Sequence, residues 1–372
     1  MTESYSPGLE GIVAGETAVS TVATGLTYRG YTIEDLAANS NYEEVAYLVL
    51  HGELPTASEA AAFRQRLGEA ANVPAEVLAA IKSIPASAPT MDVLRSACSL
   101  LAHWEPEMSD NSHEANVRKT ERLLAKMPVV VAARQRMKNG KDVVAADPNL
   151  SLPANFLWML RGEKPSEQQV KALDVSLILY AEHEFNASTF SARCVVSTLS
   201  DLHSAITAAI GALKGPLHGG ANERAMEVLE EVGSPAAAEA WIRDALANKR
   251  RIMGFGHRVY KDGDPRAVYL KTLTVEVAKE TGHDDLEQTA EIIETIVRQE
   301  KKLPPNVDWP CARLYHYLGL PIDLYTPLFV VARVVGWSAH VIEQLDNNRL
   351  IRPRAIYTGV AERKWTPLGK RK

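Results

Sequence analysis

Cysteine is scarce in this chain of 372 residues: Cys98, Cys194 and Cys311 lie far apart in apolar or mixed runs. That excludes a disulfide framework or a thiolate metal cluster and points to reduced, packed thiols in a cytoplasmic protein. Positive charge is not in excess either. Lys+Arg number 41 against 46 Asp+Glu, a formal net charge of -5, so there is no net basic face to bring nucleic acid into view. Long hydrophobic runs are missing. The most suspicious, from Pro327 to Ile342, is short for a bilayer span and carries Arg333 and His340, and the start MTESYSPGLEG has no basic-then-apolar signal. No membrane is expected. Several familiar signatures are absent as well. His183-Glu184 is not followed by the second histidine of HExxH, so no zinc helix and no metal are expected; no GxxxxGK[ST] occurs; and Gly254-Phe255-Gly256 meets Val259 where a dinucleotide fingerprint needs a third glycine.

What is present is the composition of an ordinary globular protein, 46% apolar and 23% charged, in a chain long enough for two domains or one domain with a lobe. Residues 8 to 31 alternate small, β-branched and glycine residues and predict short strands or a hairpin. Beyond Tyr31 the apolar residues fall at helical spacings almost throughout, so the fold class is all-α with a minor N-terminal β-hairpin. A helix start is expected at Thr56 to Glu59, and the alanine-rich segment to about Lys82 reads as helical.

The chemistry concentrates in KRRIMGFGHRVYKDGDPR, Lys249 to Arg266. Gly254 and Gly256 let the backbone lie close to a ligand, and His257 sits among Lys249, Arg250, Arg251, Arg258, Lys261 and Arg266. An anion pocket with a proton donor and a solvated basic turn both fit this stretch. Elsewhere, His183 lies in a strongly apolar segment, where it is either a satisfied core histidine or a ligand. His218, in GPLHGGANE just ahead of a helix, is either a turn histidine or a neutral hydrogen-bond donor. Asp308, between prolines and Trp309, is either a helix cap or a desolvated base. Arg333, flanked by valines, needs an anion, internal or bound.

Taken together, GPLHGGANE, GFGHRVYKDGDPR, PNVDW, TPLFVVARVVGWSAHVIEQ and IRPRAIYTG, in this order, resemble the citrate synthase family, which includes 2-methylcitrate synthases. The segments LTYRGY and EEVAYLVLHGELPT extend the likeness over nearly the whole chain. The resemblance implies an all-α homodimer with a large domain of residues 1–217 and 325–372 and a small domain of 218–324, whose cleft closes on acetyl-CoA and oxaloacetate. It implies His218, His257 and Asp308 as catalytic residues and no cofactor beyond the CoA thioester substrate. Oxaloacetate would be held by His183, Arg266 and Arg333, with Arg352 from the other subunit, and CoA along Arg251, Ile252, Met253, Gly254 and Phe255. Two positions depart from many citrate synthases. Tyr180 replaces a histidine in wording shared with 2-methylcitrate synthases, and Thr90 replaces a proline.

Overall fold

The computed structural model describes residues 5–23, 25–257 and 260–371, so Arg258 and Val259 of the basic stretch lie outside the described residues. The all-α expectation holds, and the N-terminal hairpin gains a third strand. β1 (Ser20–Thr21), β2 (Thr27–Tyr28) and β3 (Tyr31–Thr32) form an antiparallel sheet in that order, with Ser20 opposite Tyr28 and Thr27 opposite Thr32. Arg29 and Gly30, with φ of 48° and 89°, make the tight reversal that β3 needs.

Capping side chains divide what periodicity alone reads as longer helices. Thr32 caps α1 (Ile33–Asn39), and Asn41, accepting from the Glu44 N–H, starts α2 (Tyr42–His51). Thr56 and Glu59 form the expected capping box of α3 (Ala57–Ala70), and Pro74 then separates α4 (Ala75–Ser83) from it. There follow α5 (Thr90–Leu101), α6 (His113–Lys138), α7 (Leu152–Arg161), α8 (Glu167–Tyr180), α9 (Ala187–Val196) and α10 (Leu202–Leu213). A second group comprises α11 (Ala221–Val232), α12 (Pro235–Ala247), α13 (Pro265–Thr281), α14 (Asp284–Lys301) and α15 (Asp308–Tyr317). The chain then returns to the first group with α16 (Tyr325–Asp346).

The apolar stretch around Arg333 is longer as a helix than its sequence run suggests, long and apolar enough to cross a bilayer by length and composition. It is instead the axis of the core. α16 packs against α2, α5, α6, α8, α9, α10 and α11, and Trp337, Arg333 and His340 on it are essentially inaccessible. Gly336 brings α16 against the α8–α9 loop, because a Cβ there would stand 2.3 Å from both the Ala181 carbonyl oxygen and Glu182 Oε2. In the second group, α13 packs on α15, α11 on α15 and α12 on α14, while α13 also reaches α8 and α1. Beyond α16 the described chain is extended and exposed apart from the short turn Leu368–Lys370, and Tyr357, Trp365 and Leu368 on it are each more than 75% accessible.

Candidate active site

The α8–α9 loop carries His183 and is fixed on every side. The Tyr28 hydroxyl lies 3.1 Å from both the Ile178 and Glu182 carbonyls and accepts from the Glu182 N–H at 3.2 Å, tying the end of α8 to β2. Glu182, fully buried, accepts from Ser20 Oγ and pairs with His340 Nε2 at 2.9 Å. A buried carboxylate persists only with such partners. Glu184 takes a positive φ of 52° for a non-glycine residue, held by its N–H on Ser20 Oγ. His183 then turns inward. Its Nε2 is buried without a hydrogen-bond partner among the described residues, the condition of a group made to meet a ligand.

The second loop, between α12 and α13, is zipped to the segment before α15. Gly256 N–H donates to the Pro304 carbonyl at 2.8 Å, Asn306 N–H to the Gly254 carbonyl at 2.9 Å, and Asn306 Nδ2 to the Gly256 carbonyl at 2.9 Å. Gly254 has φ 89° and would bring a Cβ within 3.0 Å of Trp309, so both conformation and contact demand glycine. Phe255 packs its ring on Trp309 with centroids 4.7 Å apart, Ile252 is buried, Met253 is half-buried, and Arg251 is exposed at the loop's edge. Thus one rigid unit carries both His257 and Asp308.

Asp264 locks that unit. It caps α13 and accepts from Arg266 Nε and Nη2 at 3.0 and 2.9 Å and from the Val307 N–H at 3.0 Å. The Arg266 guanidinium holds the Asp264 carboxyl below the usual carboxylate range against its burial. Sequence reading passed over this residue, although Asp immediately before Pro at a helix start is a capping signal.

The rings of His183 and His257 meet edge to face with centroids 5.3 Å apart, and Tyr260 stacks on His257 at 4.6 Å. The Tyr260 N–H donates to His257 Nδ1 at 3.3 Å, which leaves the ring proton of the neutral form on Nε2. Burial, with the nearby Arg266 charge, lowers the His257 pKa to about 4, and burial with Arg266 and Arg333 pushes His183 well down. Neither imidazole competes with the arginines as a cation at neutral pH. Arg266 spends Nε and Nη2 on Asp264, leaving Nη1 for a ligand, and Arg333, 1% exposed, gives Nε to the Tyr180 carbonyl at 2.6 Å. Two buried guanidiniums whose N–H groups are not all spent among the described residues stand beside two neutral imidazoles, a combination suited to a small dianion.

His218 belongs to the same place. Its Nε2 lies 2.8 Å from Ser188 Oγ and 3.3 Å from the Ser188 N–H, and the backbone donor fixes Nε2 as an acceptor, so Nδ1 carries the proton. Ser188 Oγ in turn accepts from Trp337 Nε1 at 3.0 Å. Burial, followed by the Arg333 charge, lowers the His218 pKa to about 4. This is the neutral donor that the sequence left open, but it is made so chiefly by desolvation rather than by a helix terminus. Ser188 itself was not legible: in FNAS it reads as a helix-start serine, and only the fold brings it to a ring 30 residues away. We expect Ser188→Ala to lower kcat about tenfold with little change in substrate binding, since the backbone N–H still sets the tautomer but the ring loses the hydroxyl contact that holds its position. Steady-state kinetics with each substrate varied in turn check this, and an unchanged kcat would remove Ser188 from the site.

Asp308 opens α15 and points inward, where it remains partly accessible. It is not a side-chain cap; its own N–H is held by Asn306 Oδ1 at 3.0 Å, and Tyr180 Oη donates to its Oδ1 at 2.7 Å. Desolvation raises its pKa to about 6, opposed by the Tyr180 hydrogen bond and the Arg266 and Arg333 charges. The charge of Arg333 bears on His183, His218 and Asp308 alike. Arg352 makes none of these contacts within the chain, being exposed on the C-terminal tail. Among the described residues no group of three or more His, Cys, Asp or Glu could hold a metal ion.

The family model "Citrate synthase, C-terminal domain" matches residues 8–354. The chain is 49% identical to "Citrate synthase 2" of Bacillus subtilis over 366 residues, and 46% identical to a 2-methylcitrate synthase of Shewanella oneidensis over 368, with at least 97% of each chain covered. Its structure resembles a ternary complex of citrate synthase from Thermoplasma acidophilum with carboxymethyl coenzyme A and oxaloacetate, at a TM-score of 0.93 and 34% identity over the full length of both chains. Sequence and fold agree, and the chain belongs to the citrate synthase family.

Proposed function

We propose that this protein condenses acetyl-CoA with oxaloacetate and hydrolyses the resulting thioester to citrate and CoA. The observation that carries this reading is Asp308, a desolvated carboxylate with its pKa raised to about 6, on the same rigid unit as His257. The acetyl methyl is a weak carbon acid, so its deprotonation needs both a base and a donor for the developing enolate oxygen. Asp308 takes the methyl proton while His218 Nδ1–H hydrogen-bonds the thioester oxygen. The enol carbon attacks the oxaloacetate ketone, and His257 Nε2–H supplies the proton that the new alkoxide gains. Water then cleaves the citryl thioester. His183, Arg266 and Arg333 bind oxaloacetate, and Arg251 to Phe255 border the CoA. No metal or prosthetic group enters this chemistry.

The division into residues 1–217 with 325–372 and 218–324 is part of the proposal. The second group of helices contributes His257, Arg266 and Asp308, and the first contributes His183 and Arg333, so closure of one on the other assembles the site and expels water. The protein acts as a homodimer. An extended tail exposing Tyr357, Trp365 and Leu368 has no reason to remain in water, and a second copy gives it a surface while delivering Arg352 to the partner's site. Unpaired thiols, two of them buried, suit a cytoplasmic setting.

Tyr180 favours a second activity, with propionyl-CoA. It stands against Asp308 with its ring packed on Phe329 at 4.4 Å, and one further methylene alters discrimination by only about 1–3 kcal/mol. Release of CoA thiol, followed with each acyl-CoA, tests both readings. We expect release that depends strictly on oxaloacetate, with a higher kcat/KM for acetyl-CoA; release without oxaloacetate, or none, contradicts the proposal, and a reversed preference makes the protein a 2-methylcitrate synthase.

A further inference from the structure

We infer that Tyr180 is a positioning residue for the base: its hydroxyl orients the Asp308 carboxylate, leaving Oδ2 to take the substrate proton, and keeps that carboxylate charged inside a desolvated site. This deepens the reading given above and rests on Asp308 being the base.

The geometry is specific. Tyr180 Oη lies 2.7 Å from Asp308 Oδ1, and Tyr180 is buried at the last position of α8. A phenol hydroxyl has one proton, and where that proton goes is decided by Asn222. Asn222 Nδ2 donates to Tyr180 Oη at 3.3 Å, so the oxygen accepts on that side and directs its proton to the carboxylate. Asn222 is 1% exposed and sits on α11, whose packing on α15 brings it beside the base. The ring is held against Phe329, and the Tyr180 carbonyl accepts from Arg333 Nε at 2.6 Å. One residue therefore touches the base through its side chain and the oxaloacetate arginine through its backbone.

The sign of the effect follows. Burial raises the Asp308 pKa, and the charged or titratable groups bearing on it are Tyr180 from α8, Arg266 and Asp264 from the start of α13, Arg333 from α16 and Cys311 and Tyr315 on its own helix. Tyr180 is the foremost of those that lower it. A hydrogen bond to the ionised form favours that form, so removing the hydroxyl leaves desolvation less opposed and the carboxylate takes up its proton at higher pH. A more basic carboxylate remains a competent base once ionised. Loss of Tyr180 Oη thus moves the pH at which the enzyme switches on, more than the rate it reaches when switched on.

The test is kcat/KM for acetyl-CoA against pH at saturating oxaloacetate, for the full-length protein, Tyr180→Phe, Asn222→Ala and Asp308→Asn. In the unaltered protein the acidic limb should fall near pH 6. Tyr180→Phe should raise it by about 1 to 2 pH units, the shift that one hydrogen bond to a charged group makes. Asn222→Ala should move it in the same direction by less. A purely structural role for Tyr180 lowers the plateau and leaves the limb where it was. An unmoved limb in Tyr180→Phe, or in Asn222→Ala should the first variant not fold, overturns the inference. Retained turnover in Asp308→Asn would overturn the base assignment instead, which keeps the two failures distinct.

Discussion

Asp308→Asn should lower kcat by about 10²–10⁴-fold, the usual contribution of a general base, while leaving oxaloacetate affinity within a few-fold of normal. The asymmetry follows from where the carboxylate stands. Its contacts run to Tyr180 Oη and, through its N–H, to Asn306, whereas the groups proposed for oxaloacetate are His183, Arg266 and Arg333. The substitution keeps size and shape while removing the charge and the ability to accept a proton. Presteady-state kinetics with deuterated acetyl-CoA would locate the loss in the proton-transfer step. Comparable losses in turnover and in oxaloacetate binding would mean that Asp308 shapes the pocket rather than acting on the methyl group. The same assignment fixes the pH response. His218 and His257, lowered to about 4, are already neutral where Asp308 ionises near 6, so activity should rise through that pH with the carboxylate and show no separate histidine step above it.

Arg333→Ala should raise the oxaloacetate KM about 100-fold or more, since a buried guanidinium that pairs with a carboxylate contributes through charge-assisted bonds of about 1.5–3 kcal/mol each. Arg333 is the fully buried cation on the central helix, its guanidinium lies over the Phe329 ring, and among the described residues only its Nε makes a hydrogen bond. Arg352→Ala should also weaken oxaloacetate binding, although that residue is exposed on the tail of an isolated chain. The informative experiment combines the two. If a C2 dimer shares its sites, a mixture of Arg333→Ala and Arg352→Ala chains regains about a quarter of normal activity, because half the dimers are mixed and each holds one intact site. No recovery would place Arg352 in the site of its own chain, and an Arg352→Ala protein active by itself would place it outside any site. Thermal melting of each variant separates lost binding from lost structure, as α16 lies in the core.

The residues proposed for the chemistry were largely legible in the sequence because their surroundings violate the ordinary economy of a protein core. An arginine among valines, a histidine in an apolar helix–loop segment and an aspartate between prolines each imply a partner, and Arg333, His183 and Asp308 are all turned into the protein. The residues that hold them, and the loop that carries His183, in place were not legible. Ser188 reaches His218 across 30 positions, Tyr180 reaches Asp308 across 128, and Glu182 reaches His340 across 158. Such contacts are products of packing, and nothing in local propensity or spacing announces them. Tyr180 was visible only as a departure from many citrate synthases, a difference whose physical content is the hydrogen bond it makes. The helix boundaries followed the same division. Thr56–Glu59 declared its capping box three residues apart, whereas the break between α1 and α2 depended on an asparagine in the middle of an unbroken helical period.

The central claim is that Asp308, His218 and His257 serve one dianion pocket made by Arg266, Arg333 and His183. A crystal structure of the protein with oxaloacetate and an unreactive acetyl-CoA analogue tests it most directly. The account predicts the keto oxygen within hydrogen-bonding reach of His257 Nε2, carboxylates on the two arginines, and the analogue's acyl group between Asp308 and His218 Nδ1. Oxaloacetate bound away from the two arginines, or an acyl group out of reach of Asp308, would contradict it.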